Sequence, residues 1–201
     1  MNTSFKKIIT VFTILLCSNI NMFAQQNNTL KESKSNISLE IDPVTFGFNG
    51  YGIHLRIKPK NNKHLLLGIG AYAMDMPNAL VDLNKKNKGK GWDVRLNQGY
   101  GFFGEYHLSK VNKKWFVGGQ LGLQEYKIKN SSIAGNEKFT NGLLMAYGGY
   151  TWQLFDTGFY IKPWGGFGIT SKFSGTNTLG NSKYDIAPIV IFATLHIGYT
   201  F

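Results

Sequence analysis

Glu105-x-His107-x-Ser109 places an acid, a base and a hydroxyl at alternate positions, the residue types of a nucleophilic relay. On a strand they share one face, but positions i and i+2 lie about 6 to 7 Å apart. Proton transfer needs ~2.6 to 3.2 Å, so no catalysis is expected from the trio. The four histidines His54, His64, His107 and His196 are scattered over the chain and lack the close spacing of a zinc ligand set, so neither a metal nor a cofactor is expected. Gly165-Gly166-Phe167-Gly168 is followed by no helix start and does not read as a phosphate loop. Its glycines are expected to leave room for bulky neighbours instead. In the basic run Lys85-Lys86-Asn87-Lys88-Gly89-Lys90, the lysines Lys85, Lys86, Lys88 and Lys90 either meet phosphates or an acidic polymer, or are simply solvated.

The elements that must carry these residues are strands. From Tyr51, the apolar Tyr51, Ile53, Leu55 and Ile57 alternate with Gly52, His54, Arg56 and Lys58, the period of two of a sheet with unlike faces. The alternation returns in Trp92, Val94, Leu96, Tyr100, Phe102, Tyr106 and Leu108, then in Phe159, Ile161, Phe167 and Ile169, and in Ile189 to Phe201. Strands are expected at about Ile37 to Phe48, Gly50 to Lys58, His64 to Met74, Trp92 to Leu108, Lys114 to Lys127, Phe139 to Leu154, Gly158 to Ser171 and Tyr184 to Phe201. Tight breaks at Lys60 to Lys63, Ser109 to Lys113 and Phe155 to Thr157 alternate with long polar ones at Met76 to Gly91, Lys129 to Lys138 and Lys172 to Lys183. The predicted fold is therefore all-β, an eight-stranded antiparallel up-and-down transmembrane β-barrel over residues 36–201. Asn49-Gly50 suits a tight first turn. Asp42-Pro43 breaks the first strand's alternation, as either a bulge or the true first loop.

Ahead of the barrel, Lys6 and Lys7 precede the apolar Ile8 to Leu16, and a small residue, Ala24, stands before Gln25. Residues 1–24 read as a secretory signal peptide and 25–35 as a flexible lead. Leu16 stands where lipid attachment to Cys17 would need a small residue, so that anchor is not expected. No other cysteine follows, which leaves no disulfide and no thiolate chemistry. The formal charge of +11 would suit nucleic acid, but export removes that partner.

Position along the strands separates a membrane barrel from a soluble carrier. Tyr106, Trp115, Tyr150, Trp152, Phe159, Tyr199 and Phe201 gather near the short turns, as a lipid-boundary girdle would. The opposite face collects Arg56, Arg95, Glu105, Gln120, Lys162 and His196, too many charges for an apolar carrier pocket. Arg56 and Glu105 are expected at similar heights in the lumen, with Gly68 and Gly70 on the strand between them leaving room for an ion pair that Lys162 or Arg95 joins.

The last strand ends on an aromatic with apolar residues at every second position: Leu195, Ile197, Tyr199 and Phe201. This resembles the terminal assembly signal of outer-membrane barrels. With Tyr51-Gly-Ile-His-Leu-Arg-Ile-Lys, the Asn61-Asn62 turn and Leu65-Leu-Leu-Gly-Ile-Gly, the chain resembles small barrels of the OmpA and outer-membrane-protein-X type. The long external loop of outer membrane protein X's first hairpin is missing here, so no adhesive role carries over. The resemblance implies a monomer in the outer membrane of a Gram-negative-type bacterium, with outer-membrane lipid, lipopolysaccharide and the barrel-insertion machinery as partners. The expected role is structural or surface-interacting, without catalysis. A lipid A-modifying enzyme and a small-molecule conduit are the alternatives, and an interior just wide enough for side chains opposes a general pore.

Overall fold

The computed structural model describes residues 36–155 and 157–201, so the expected signal peptide, the lead and Asp156 lie outside the described residues. Eight strands close a ring: β1 (Asn36–Ile41), β2 (Tyr51–Lys58), β3 (Leu65–Asp75), β4 (Trp92–His107), β5 (Lys114–Asn130), β6 (Ile133–Gln153), β7 (Phe159–Gly175) and β10 (Ile189–Thr200). Each pairs antiparallel with its chain neighbours, and β1 meets β10 to complete the barrel. A small hairpin, β8 (Thr178–Leu179) with β9 (Ser182–Lys183), stands apart from the ring. Asparagines make two of the short turns: Asn61 and Asn112 take φ values of 61° and 58°, a left-handed conformation that asparagine tolerates better than most residues. Asn62 Oδ1 accepts from the backbone N–H of His64 and Leu65, at 2.9 and 2.8 Å, which closes the β2–β3 turn.

Three expected features are corrected. The first strand stops at Ile41 instead of running to Phe48. Asp42 caps the short helix α1 (Pro43–Gly47), its side chain accepting from the Val44 N–H, because a proline fits the first helical turn and brings no N–H to a strand ladder. Asp42-Pro43 is thus the first loop and not a bulge. The expected long break at Lys129 to Lys138 is a tight turn, since β5 and β6 stay paired up to Asn130 opposite Ile133. The last strand begins at Ile189, because residues 176–188 are taken by the small hairpin and the chain around it.

A fourth correction follows from a bulge in β4. Pairing with β5 skips Asn97, between Leu96 and Gln98, so alternation changes phase there. Trp92, Val94 and Leu96 face inward with Phe103, Glu105 and His107, while Tyr100, Phe102 and Tyr106 face outward. Arg95 is thereby turned out of the lumen, against expectation. A second helix, α2 (Asn78–Val81), lies in the loop after β3.

The outer wall is a band of exposed apolar side chains: Ile53, Leu55 and Ile57 on β2, Val117, Leu121 and Leu123 on β5, Phe167 on β7 and Ile191 on β10. At the short-turn end the expected aromatic girdle is present, with Tyr106, Trp115, Trp152, Phe159 and Phe201 exposed. Its rings touch edge to face in Trp115–Tyr150, Phe159–Tyr199 and Tyr199–Phe201. The inside reads in tiers down β4. Trp92 and Val94 join Val81, Ile128, Phe139 and Leu179 in a cap at the long-loop end. Phe103 belongs to a middle cluster with Phe116, Leu143, Met145, Tyr147 and Trp164, and Glu105 and His107 lie below it in the short-turn half.

Candidate functional site

The short-turn half of the bore holds a buried polar network whose charged and histidine side chains come from five strands. On β1, Ile37, Leu39 and Ile41 are exposed, so the same alternation turns Ser38 and Glu40 inward. His54 and Arg56 come from β2, Glu105 and His107 from β4, Tyr160 and Lys162 from β7, and Thr194 and His196 from β10, all on inward positions.

Two carboxylates and two cations form its centre. Arg56 Nε donates to Glu40 Oε2 at 3.0 Å, and Arg56 Nη1 lies 3.4 Å from Glu105 Oε1. Lys162 Nζ donates to Glu105 at 3.1 and 3.2 Å and is paired with Glu40 as well. Each carboxylate thus meets both cations, and the formal charge of the four cancels. The Arg56–Glu105 pair joined by Lys162 is as expected, whereas Glu40, its other half, escaped the sequence reading. A single acid between Leu39 and Ile41 was the available signal. The space comes from glycine: a Cβ at Gly68 would stand 2.3 Å from Arg56 Cδ, and one at Gly70 would stand 2.7 Å from His54 Nδ1.

Neutral donors complete both carboxylates. Tyr160 Oη donates to Glu40 at 2.9 Å and Tyr147 Oη to Glu105 at 3.1 Å. Trp164 Nε1 donates to His196 Nε2 at 3.1 Å, which leaves Nδ1 of His196 to carry the proton it gives Glu40 at 3.0 Å. Asp42 accepts from Thr194 Oγ1 at 2.8 Å while capping α1. Gln120, expected in the lumen, is there and donates to Tyr72 Oη at 2.9 Å.

Arg95 belongs elsewhere. It pairs with Asp75 and donates to the Asn49 carbonyl at 3.0 Å at the long-loop end. Burial there would raise the Asp75 carboxyl, but hydrogen bonds from Arg95 and Asn49 outweigh it and hold that carboxyl below its ordinary range.

The sequence spacing of the histidines misled in two ways. Scattered positions did not keep them apart, because closing the barrel brings His54 and His196 together with ring centroids 4.5 Å apart. With Glu40 they present ligand atoms within 4.8 Å of one another. Those three could hold a cation only against Arg56 and Lys162, which already neutralise Glu40, so the charge balance opposes it. The i, i+2 spacing also failed to separate Glu105 from His107, whose Nε2 lies 3.2 Å from the carboxylate because the two side chains lean together. Among the described residues His107 Nδ1 has no hydrogen-bond partner, so Ser109 is not joined to the pair.

Lys85, Lys86, Lys88 and Lys90 are exposed on the loop after β3, as expected of the basic segment. The loop itself is tied down. Asn84 and Asn87 each donate to the Asp185 carbonyl at 2.9 Å, and Asn87 Oδ1 accepts from the Asp185 N–H at 2.9 Å. No protein-family model, curated protein or solved structure matches this chain.

Proposed function

We propose that this chain is an integral outer-membrane barrel of structural or surface-interacting role, with no catalysis and no open conduit. The observation that carries the reading is the inversion of faces: large apolar side chains cover the outside of the barrel, while a balanced set of charges is buried within it. A water-soluble barrel would expose little contiguous apolar surface. Outward apolar positions on β5 run from Trp115 to Leu123 before Glu125, matching the ~9–11 residues a tilted strand needs to cross a bilayer. The girdle then lies at the periplasmic boundary, and Lys85, Lys86, Lys88 and Lys90 face outward, where lipopolysaccharide phosphates are available. Side chains filling the bore support a closed wall over a pore, and the resemblance to OmpA-type and outer-membrane-protein-X-type barrels points the same way.

Expression of residues 1–201 in a Gram-negative host tests this. The chain should fractionate with outer membranes and shift mobility on gels when heated. Reconstituted in a planar bilayer it should pass no steady current. Recovery in the soluble periplasmic fraction would overturn the membrane reading, and a stable conductance the closed bore.

A further inference from the structure

The barrel wall is uneven at one place. β1 pairs with β10 only from Ser38 opposite Thr200 to Ile41 opposite Ile197, where Asp42 leaves the wall and begins α1. Above that point, among the described residues, β10 from Ile189 to His196 pairs with β7 alone. The neighbouring position is taken by α1, joined to β10 through the Thr194 hydroxyl on Asp42. A helix has no free edge to offer a ladder, so the sheet is interrupted along this seam.

Behind the seam lies a cavity of about 130 Å³, close to the ~150 Å³ of an apolar cavity that takes benzene. Its lining includes Met74, Leu96, Leu143, Met145, Phe192 and Trp164. Asp42 and Thr45 of the α1 segment line it as well, together with Ile189 and Ile191, whose side chains are exposed outside the barrel, so the cavity reaches the outer surface at the seam. The lining also takes in Leu80 and Ala187 toward the long-loop end, and its members Leu83, Ile189 and Ile191 are exposed at the mouth. Among the described residues of the lining, Asp42 is the only carboxylate, the histidines are formally neutral, and there is no lysine or arginine. An entering carboxylate or phosphate would find no cation and an opposing Asp42, so what enters is uncharged and apolar. Of the polar lining groups, Tyr72 is bonded to Gln120 and Gln124, His196 to Trp164 and Asp42 to Thr194 outside the lining, while His54 Nδ1 has no partner among the described residues.

We propose that the seam between α1 and β10 is a lateral opening through which the end of a membrane lipid's acyl chain seats in the cavity, its headgroup staying in the bilayer. The lipid source follows from the mouth's position in the outward apolar band and from the absence of any cation that would hold a free fatty acid's carboxylate. The inference rests on the barrel being embedded in a membrane.

Bromine quenching in phosphatidylcholine vesicles tests it. One variant keeps Trp164 alone, the other three tryptophans being changed to phenylalanine, and a second keeps Trp152 alone. Lipids brominated near the headgroup should quench Trp152, which reports embedding. Lipids brominated at mid-chain should quench Trp164, and Val190→Phe, which fills the cavity, should lower that quenching at least twofold without altering Trp152. The same Val190→Phe comparison with all four tryptophans in place gives the readout should a single-tryptophan variant fail to fold. Quenching of Trp164 that Val190→Phe leaves unchanged, no quenching of Trp164, or quenching only by added brominated fatty acid would each overturn the proposal while Trp152 is quenched. An unquenched Trp152 would overturn the membrane reading, and the inference with it.

Discussion

Glu40 and Glu105 each meet one guanidinium and one ammonium, so no member of the central four can be removed without leaving an unmatched buried charge. Burying ions is costly, and the gain from pairing them only offsets that cost when all are present. Glu105→Gln leaves Arg56 and Lys162 with Glu40 alone. It is expected to lower the unfolding free energy by about 3–5 kcal/mol, in the range for breaking a buried pair. Arg56→Gln alone leaves the opposite excess and should cost a similar amount. Together they restore neutrality, so the double variant should lose less than the two single losses summed, by roughly 0.5–3 kcal/mol. Urea unfolding of the vesicle-inserted barrel, followed by tryptophan emission, reads all three, and strict additivity would show that the pair is not coupled.

Among the connecting elements, the loop after β3 combines exposed lysines with a fixed backbone. Asn87 is buried, and its side chain both donates to and accepts from the Asp185 backbone, as a strand neighbour would. Asn87→Ala removes both bonds, so trypsin added to intact cells should cut after Lys85, Lys86, Lys88 or Lys90 several-fold faster than in the unsubstituted chain, read by mass spectrometry of the released peptides. Equal rates would mean that the loop is held by other contacts. The sequence made the lysines legible as a surface feature but not their anchoring, because the anchor is a residue about a hundred positions away. Strand number and outward girdle were readable because each depends on alternation within one strand. Arg95 was misplaced because one extra residue, Asn97, reverses the alternation without any change in composition. Lys129 to Lys138 looked like a loop for its polarity, yet the β5–β6 hairpin extends through it, with polar positions left on exposed faces. Glu40 and His54 face each other across the β1–β2 pair, but His196 is far from both in sequence. Only closure of the ring through β1 and β10 brings His196 to them.

At the scale of the whole molecule, that closure depends on the shortest interface in the ring. β1 and β10 match over Ser38 to Ile41, against Ile189 to Tyr199 for β10 with β7. Ser38 Oγ and Thr200 Oγ1 stand 2.9 Å apart across this interface, and Asn112 Nδ2 donates to both, at 3.2 and 3.0 Å. Side chains this close across an antiparallel pair fall within disulfide reach. In the chain from residue 25 on, which has no other cysteine, Ser38→Cys with Thr200→Cys should form a bond on oxidation of the folded barrel. The product is a near-circular chain that migrates faster than the reduced form on a denaturing gel. The same chain oxidised in concentrated urea should yield little of it, because the two ends then meet only by chance. Closing so long a loop restricts the unfolded ensemble, which in the chain-entropy picture stabilises by up to about 4 kcal/mol. Part of this is lost with the two bonds of Asn112. A cross-linked barrel should therefore unfold at higher urea than its reduced form. If the folded chain oxidises no faster than the unfolded one, β1 and β10 are not neighbours in this register, and the ring that gathers Glu40 with His196 and Lys162 would have to be redrawn.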